Sequence, residues 1–351
     1  MKKILLSIFM CLLLFNTTYG AEISDDDYYL KNSGYTKEEF QYLYNTIVKG
    51  IKNVSINEET FESVPYKPGI NYVIKKAFMD YDHLNYVSGV RYVYSRGNRN
   101  IKNIYFEYNY IRDDIKKRMN EADVKADEVI KEIIKEEMTD FEKVVAVHDY
   151  IINNTRYDYE GFKSGKIPNW EHTAYGPLIR KTGVCDGYSK AFMLILKKLG
   201  IECISIKSDN HAWNMVKLQD KYYHVDLTFD DPYNEEGDML SYAYFFIDDS
   251  EMAKDHNWNS EIYPKCDTID FNYYKNNLGM IDSAKDETEF KEKITAAINN
   301  RIEYVYLKVD NTNMDIDKLI PEVLIENRYN IKISYSYKIF DDSFKISIIY
   351  N

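Results

Sequence analysis

The chain has 351 residues and a net charge of −12, with 34 tyrosines against 3 tryptophans. That acidity excludes the usual binders of nucleic acid and anionic membrane, which present basic faces. The length favours two or three domains or subdomains over one.

The chain opens on Met1-Lys2-Lys3, an apolar run from Ile4 to Phe15, and Thr18-Tyr19-Gly20-Ala21. A charged, an apolar and a small-residue region in that order read as a secretory signal peptide over residues 1–20. The apolar run is too short for a membrane span, which takes roughly 20 residues. Cys11 inside it lacks the preceding small residues of a lipoprotein signal. No later segment is apolar enough to cross a bilayer, so the mature chain is expected to be exported, soluble and without a transmembrane anchor. Loss of Lys2 and Lys3 takes its charge from −12 to −14. Cys185, Cys203 and Cys266 remain, and an odd number in an exported protein points to a free thiol. A Cys203–Cys266 disulfide stays open, although the apolar run around Cys203 suits a small buried hydrophobe better.

Apolar spacing predicts helices over 36–52 and 69–82, the first opened by a Thr36/Glu39 capping box. Val90–Tyr94 and Ile101–Tyr108 alternate as a strand pair around Arg96-Gly97-Asn98. Ile111–Glu137 reads as a long charged helix, and Thr139-Asp140 starts another through Ile152 with Val144, Val147, His148 and Ile151 on one face. An irregular stretch from Asn153 to Lys181 then leads into Cys185, and loops carry function more often than cores do. Beyond the strand-rich block 201–229, the tail reads as helix 286–299, strand 304–309, helix 314–327 and strands 331–337 and 344–350. The expected divisions are a signal peptide (1–20), an α/β extension (21–135), a catalytic domain (136–270) and a small α/β module (271–351).

The chemistry gathers in the third division. Cys185 stands in Gly183-Val184-Cys185-Asp186-Gly187-Tyr188 at the start of an amphipathic helix; His211 and Asp226 follow in the strand block. A thiol is mostly protonated at neutral pH and becomes a nucleophile where positive potential stabilises the thiolate. A helix N-terminus offers unpaired N–H groups and about half a positive charge. An imidazolium adds the rest and later protonates the leaving amine. Taken singly, each residue has a bland explanation: a structural cysteine, a turn histidine, a capping aspartate. Their order and spacing require three such explanations at once.

The register is a sharp expectation. With a two- or four-residue turn around Gln219-Asp220, His211 faces Thr228 and Asp226 is its diagonal neighbour on one face. A three-residue turn would put Asp226 on the other face. His224, of the same parity, is a minor rival to His211, whereas His148 reads as a core group and His83 and His256 show no partner. An acyl-transfer site also needs oxyanion donors. The Cys185 N–H is the first; for the second, Tyr175 leads, with Trp170 and His172 as rivals, and Trp213 shields the site or packs.

Gly183–Phe192, His211-Ala212-Trp213-Asn214 and His224–Pro232 together resemble the core of the transglutaminase-like superfamily. Tyr157-Asp158 and Ala174–Leu178 are similar to segments of its secreted bacterial members. The resemblance covers roughly residues 140–235, with one departure at Phe229, where the family more often has tryptophan. It implies an α+β, papain-like fold in which a cysteine-bearing helix packs on an antiparallel sheet. It places nucleophile, base and orienting acid on Cys185, His211 and Asp226. It implies thioester chemistry on protein glutamine or a peptidoglycan peptide, with an amine or water as acceptor, at the cell surface. The alternatives are a cysteine peptidase or amidase that hydrolyses cell-surface peptides, and a non-catalytic surface binding module on the same fold. No cofactor or metal is implied: there is no phosphate-cradling glycine loop, His-Glu-x-x-His or paired Cys-x-x-Cys.

Overall fold

The Thr36 hydroxyl accepts the Glu39 N–H while the Glu39 carboxylate accepts the Thr36 N–H, and that capping box opens helix α2 (Lys37–Asn53). The structure, a computed structural model, describes residues 27–54, 64–84, 86–95, 97, 99–108, 110–231, 241–273, 281–302, 304–309, 314–327, 331–337 and 343–349. The leader reading of residues 1–20 and the turn residues Arg96 and Asn98 lie outside the described residues. No described helix is long and apolar enough to cross a membrane.

Two compact units divide the chain. One runs to Ser241 and includes Asp248–Asp267; the other comprises Tyr242–Ile247 and the chain from Thr268. The first begins with α1 (Tyr28–Ser33), α2, α3 (Ile70–Asp80) and the antiparallel pair β1 (Val87–Tyr94) and β2 (Ile101–Tyr108). Phe40, Tyr44, Ile47, Val73, Ile104 and Phe106 close their shared core. β1 starts three residues before the expected Val90, and a register shift between Val87 and Gly89 accounts for it, because a bulge breaks the alternation by which strands are read. α4 (Arg112–Ile133) stops short of Glu137 because Ile134 is already extended. α5 (Asp140–Asn154) buries Val144, Val147, His148 and Ile151 as one face.

The irregular stretch has more order than its sequence suggests. It holds β3 (Arg156–Tyr157), α6 (Tyr159–Ser164), a 3-10 turn (Asn169–His172), a wide turn (Gly176–Arg180) and β4 (Thr182–Gly183), which pairs parallel with β3. Each piece is too short to show a period, and β3 and β4 define each other across 26 residues of sequence. α7 (Cys185–Lys198) follows, buried on nearly every side. β5 (Cys203–Lys207), β6 (Ala212–Leu218) and β7 (Lys221–Val225) pair antiparallel in succession, and β5 and β6 contact α7.

The second unit carries strand β8 (Phe245–Ile247) and a four-stranded sheet ordered β11-β12-β10-β9, with β9 at Ile281–Ala284, β10 at Tyr304–Val309, β11 at Lys332–Tyr337 and β12 at Ser343–Ile349. Helices Glu287–Asn299 and Ile316–Glu326 bury Phe290, Ile294, Leu319 and Val323 with Val305, Leu307 and Ile346. The β9–β10 pair is parallel and the helix between them is the crossover such pairs require.

Candidate active site

The β6–β7 turn fixes the site. Gln219 and Asp220 both hold positive φ, at 48° and 63°, and Leu218 pairs with Lys221, so the loop has two residues. Such a turn matches the right-handed twist of its strands. The ladder runs only to Asn214 opposite Val225. Extended further it would set His211 against Thr228 as expected, but the strands part first. Asp226 curls the chain away: its Oδ1 accepts Thr228 N–H at 2.9 Å, Thr228 Oγ1–H at 2.8 Å and Phe229 N–H at 3.2 Å. That leaves Oδ2 for His211, whose Nε2 lies 2.5 Å away. The other ring nitrogen, Nδ1, remains for Cys185, whose sulfur lies near enough to the imidazole to raise its proton affinity. Sulfur, ring and acid are therefore gathered in one place.

Burial works against a charge on His211, but the Asp226 carboxylate and the Cys185 sulfur override it, and its proton affinity is pushed up to about 10. Burial likewise opposes the Asp226 charge, and His211 and His256 hold that carboxyl well below the ordinary range. At neutral pH the site thus favours an imidazolium beside the sulfur, the partner a thiolate needs. Cys203 and Cys266 are buried free thiols, and burial pushes the first up to about 12. Neither forms the disulfide left open by the sequence.

α7 begins where it does because the preceding turn grips it. The Glu171 carbonyl accepts Val184 N–H at 3.3 Å, and a Cβ on Gly187 would come within 2.2 Å of that same oxygen. Gly187 is therefore set by backbone contact. The Glu171 side chain is buried, and burial and the Asp158 carboxyl push it up to about 7. A carboxyl raised in the folded state stabilises the fold below its unfolded pKa, and that contribution is lost as pH rises through about 7. Glu171→Gln should therefore melt above the wild type in mildly alkaline buffer and equal it in acid, as thermal unfolding against pH will show.

The structure separates the remaining expectations. Trp213 stacks on His211, with ring centroids 5.7 Å apart, and its single N–H donates to His224 Nδ1 at 3.0 Å. It shields the site and has no hydrogen left for an oxyanion. Tyr175 lies against the Arg118 guanidinium, Trp170 lies under Arg180, and His172 Nδ1 faces Asp186 at 3.3 Å. The Tyr157 hydroxyl lies beside Cys185, near enough to feel both its backbone N–H and its sulfur. β3 puts it there by pairing Tyr157 with Gly183, two residues before the thiol. The sequence offered only the Tyr157-Asp158 resemblance as a signal. Burial, Cys185 and Asp226 hold the Tyr157 hydroxyl far above the ordinary phenol range, so it keeps its proton.

His148 is a core group, as expected, held by Asp149 at 3.0 Å and Asp230 at 3.2 Å. His224 turns from the site to Asp249, with Nε2 to Oδ1 at 2.9 Å. His256, which showed no partner in the sequence, has Nε2 3.0 Å from Asp226 Oδ2.

Among the described residues, two clusters bring metal-binding atoms together: His211, Asp226 and His256, and His224, Asp249 and Cys266. Neither fits a zinc ion. In the first, the oxygen stands 2.5 and 3.0 Å from the two nitrogens, whereas ligands about 2.0–2.1 Å from a tetrahedral zinc stand about 3.3 Å apart. In the second, Trp213 donates to His224 Nδ1, so the neutral ring carries its hydrogen on Nε2, toward Asp249.

A thiol at a helix start, joined through an imidazole to a buried carboxylate beside an antiparallel sheet, is the arrangement of papain-like thiol enzymes. Residues 127–227 match the family model of the transglutaminase-like superfamily, so the chain carries a transglutaminase-like segment. Human kyphoscoliosis peptidase is 25% identical over 123 residues, which are 29% of this chain and 18% of that protein. The chain thus spans less than a fifth of that relative. Among solved structures, one described as a TGase is 15% identical with a TM-score of 0.30, covering 50% of this chain and 52% of its own. A Cytophaga hutchinsonii protein provisionally designated a cysteine protease is 16% identical with a TM-score of 0.25, covering 40% and 61%.

Proposed function

We propose that the chain is an exported thiol acyl-transfer enzyme acting on amide bonds of proteins or peptidoglycan peptides at the cell surface. The convergence of Cys185, His211 and Asp226 carries this reading. The Cys185 thiolate attacks the amide carbonyl carbon, and the C–N bond breaks as His211 gives its proton to the leaving amine. The thioester then passes its acyl group to an amine or to water, with His211 taking the proton of the acceptor. The name of the human relative favours water. The test is to incubate wild type and Cys185→Ala with peptidoglycan fragments and a glutamine-containing protein, with and without a primary amine, and to weigh the products. Cys185-dependent hydrolysis or amine incorporation supports the reading; identical products from both proteins reduce the fold to a binding scaffold.

Tyr157 has the second oxyanion role in this proposal, beside the Cys185 N–H. Its hydroxyl lies beside Cys185 and keeps a hydrogen to give. Tyr157→Phe should slow acylation of Cys185 by p-nitrophenyl acetate by about 10²–10³, the usual cost of one oxyanion donor. Alkylation by iodoacetamide should hold its rate, since displacement at a saturated carbon builds no oxyanion. Equal losses in both reactions would make Tyr157 a structural residue.

A further inference from the structure

One buried histidine on the triad carboxylate has no part in the chemistry above. His256 follows α8 (Asp249–Met252), whose N-terminus is capped by Asp248, and its N–H donates to the Met252 carbonyl at 3.0 Å. Asp249 N–H donates to the Cys266 carbonyl at 2.8 Å, which ties the segment down from its other side. The ring is thus fixed from its backbone. It lies 4.4 Å from the Phe229 ring, 5.0 Å from Trp213 and 5.3 Å from His211, centroid to centroid. Its Nε2 is 3.0 Å from Asp226 Oδ2, the same oxygen that His211 Nε2 approaches to 2.5 Å. Its Nδ1 is 2.6 Å from Asp255 Oδ1.

We propose that His256 is a positioning residue that shares the Asp226 carboxylate with His211 and limits the pull of that carboxylate on the His211 proton. Hydrogen-bond valence leads there. A carboxylate oxygen only accepts, so each ring nitrogen that faces Asp226 Oδ2 does so as a donor. Two donors on one buried oxygen each receive less of its charge than one would alone. Among the described residues, the charged and titratable groups facing His256 include Asp226 from the end of β7, Asp255 beside it, and His211 from before β6. His211 and His256 therefore compete for one oxygen.

The geometry also keeps the shared oxygen in place. Asp226 accepts five hydrogen bonds, three on Oδ1 and two on Oδ2. Its carboxylate therefore has little freedom to rotate away from His211.

The proposal rests on His211 as the base of the reaction, but its test reads His211 without turnover. In protein carrying isotope-labelled histidine, the wild-type His256 ring should show a hydrogen on Nε2, the nitrogen that faces Asp226; a bare Nε2 would overturn the proposal, and no variant is needed to see it. His256→Phe keeps a ring in place and removes the donor toward Asp226. The His211 titration midpoint should then rise by about one unit, because the whole of the carboxylate oxygen turns to its proton. An unmoved midpoint in a folded His256→Phe protein would overturn the proposal. Failure of the wild type to acylate at Cys185 would instead sink the enzymatic reading and leave these midpoints to decide on the shared carboxylate.

Discussion

Asp226→Asn should slow acylation of Cys185 by about 10⁴, the loss typical when a triad carboxylate becomes its amide. The expected effect follows from the donors around the side chain. Thr228 N–H, Thr228 Oγ1–H and Phe229 N–H all point at Oδ1, so the amide oxygen must take that position. The NH2 group then stands where Oδ2 faces His211 Nε2 and His256 Nε2. A donor there forces His211 to present a lone pair at Nε2 and to carry its hydrogen on Nδ1, toward the sulfur. That tautomer cannot accept the thiol proton. The fold should survive, because the three contacts of Oδ1 persist. The measurements are the p-nitrophenyl acetate burst and the pH profile of iodoacetamide alkylation, which should move toward that of an ordinary thiol, near about 8.5. Alkylation as fast as in the wild type at neutral pH would remove Asp226 from the mechanism.

The second large effect concerns stability. Lys190 lies on the buried side of α7, and its Nζ donates to the His172 carbonyl at 2.9 Å. The same nitrogen is 3.9 Å from Asp82 Oδ1, with side-chain exposures of 9% and 6%. Lys207 reaches Asp82 at 2.9 Å from β5 and also pairs with Asp186. Burial alone would drive Asp82 toward its neutral form, and the two lysines reverse that and hold its carboxyl low. Lys190→Met takes one cation from Asp82 and leaves the His172 carbonyl without this donor. The cost should be about 3 kcal/mol, the lower end for breaking a buried pair, read from denaturant unfolding. Adding Asp82→Asn should recover part of it, and the coupling in that double-mutant cycle measures the pair. Additive losses would mean that the two side chains do not sense each other.

The helices and strands legible in the sequence are those whose periodicity serves local burial. α2 and α5 announce themselves by capping residues and one apolar face, and the tail by clean alternation. β3, β4 and α6 do not, because two-residue strands and a six-residue helix have no period and exist through each other's contacts. The same division runs through the site. Cys185, His211 and Asp226 stood out because a thiol before a helix and two polar groups at a fixed offset around a hairpin turn are local patterns. Tyr157 and His256 did not: one arrives through the pairing of β3 with β4, the other through α8 packed behind the carboxylate.

The sequence by itself determined that His211 and Asp226 share a face if the turn between their strands holds two or four residues, because side chains alternate along a strand. It also determined the helix start under Cys185, which glycines and an apolar run specify locally. Tertiary structure alone decided which hydroxyl lies beside Cys185 and which histidine shares Asp226. Both contacts join segments distant in sequence, and a hydrogen bond across such a distance depends on packing, which no local pattern records.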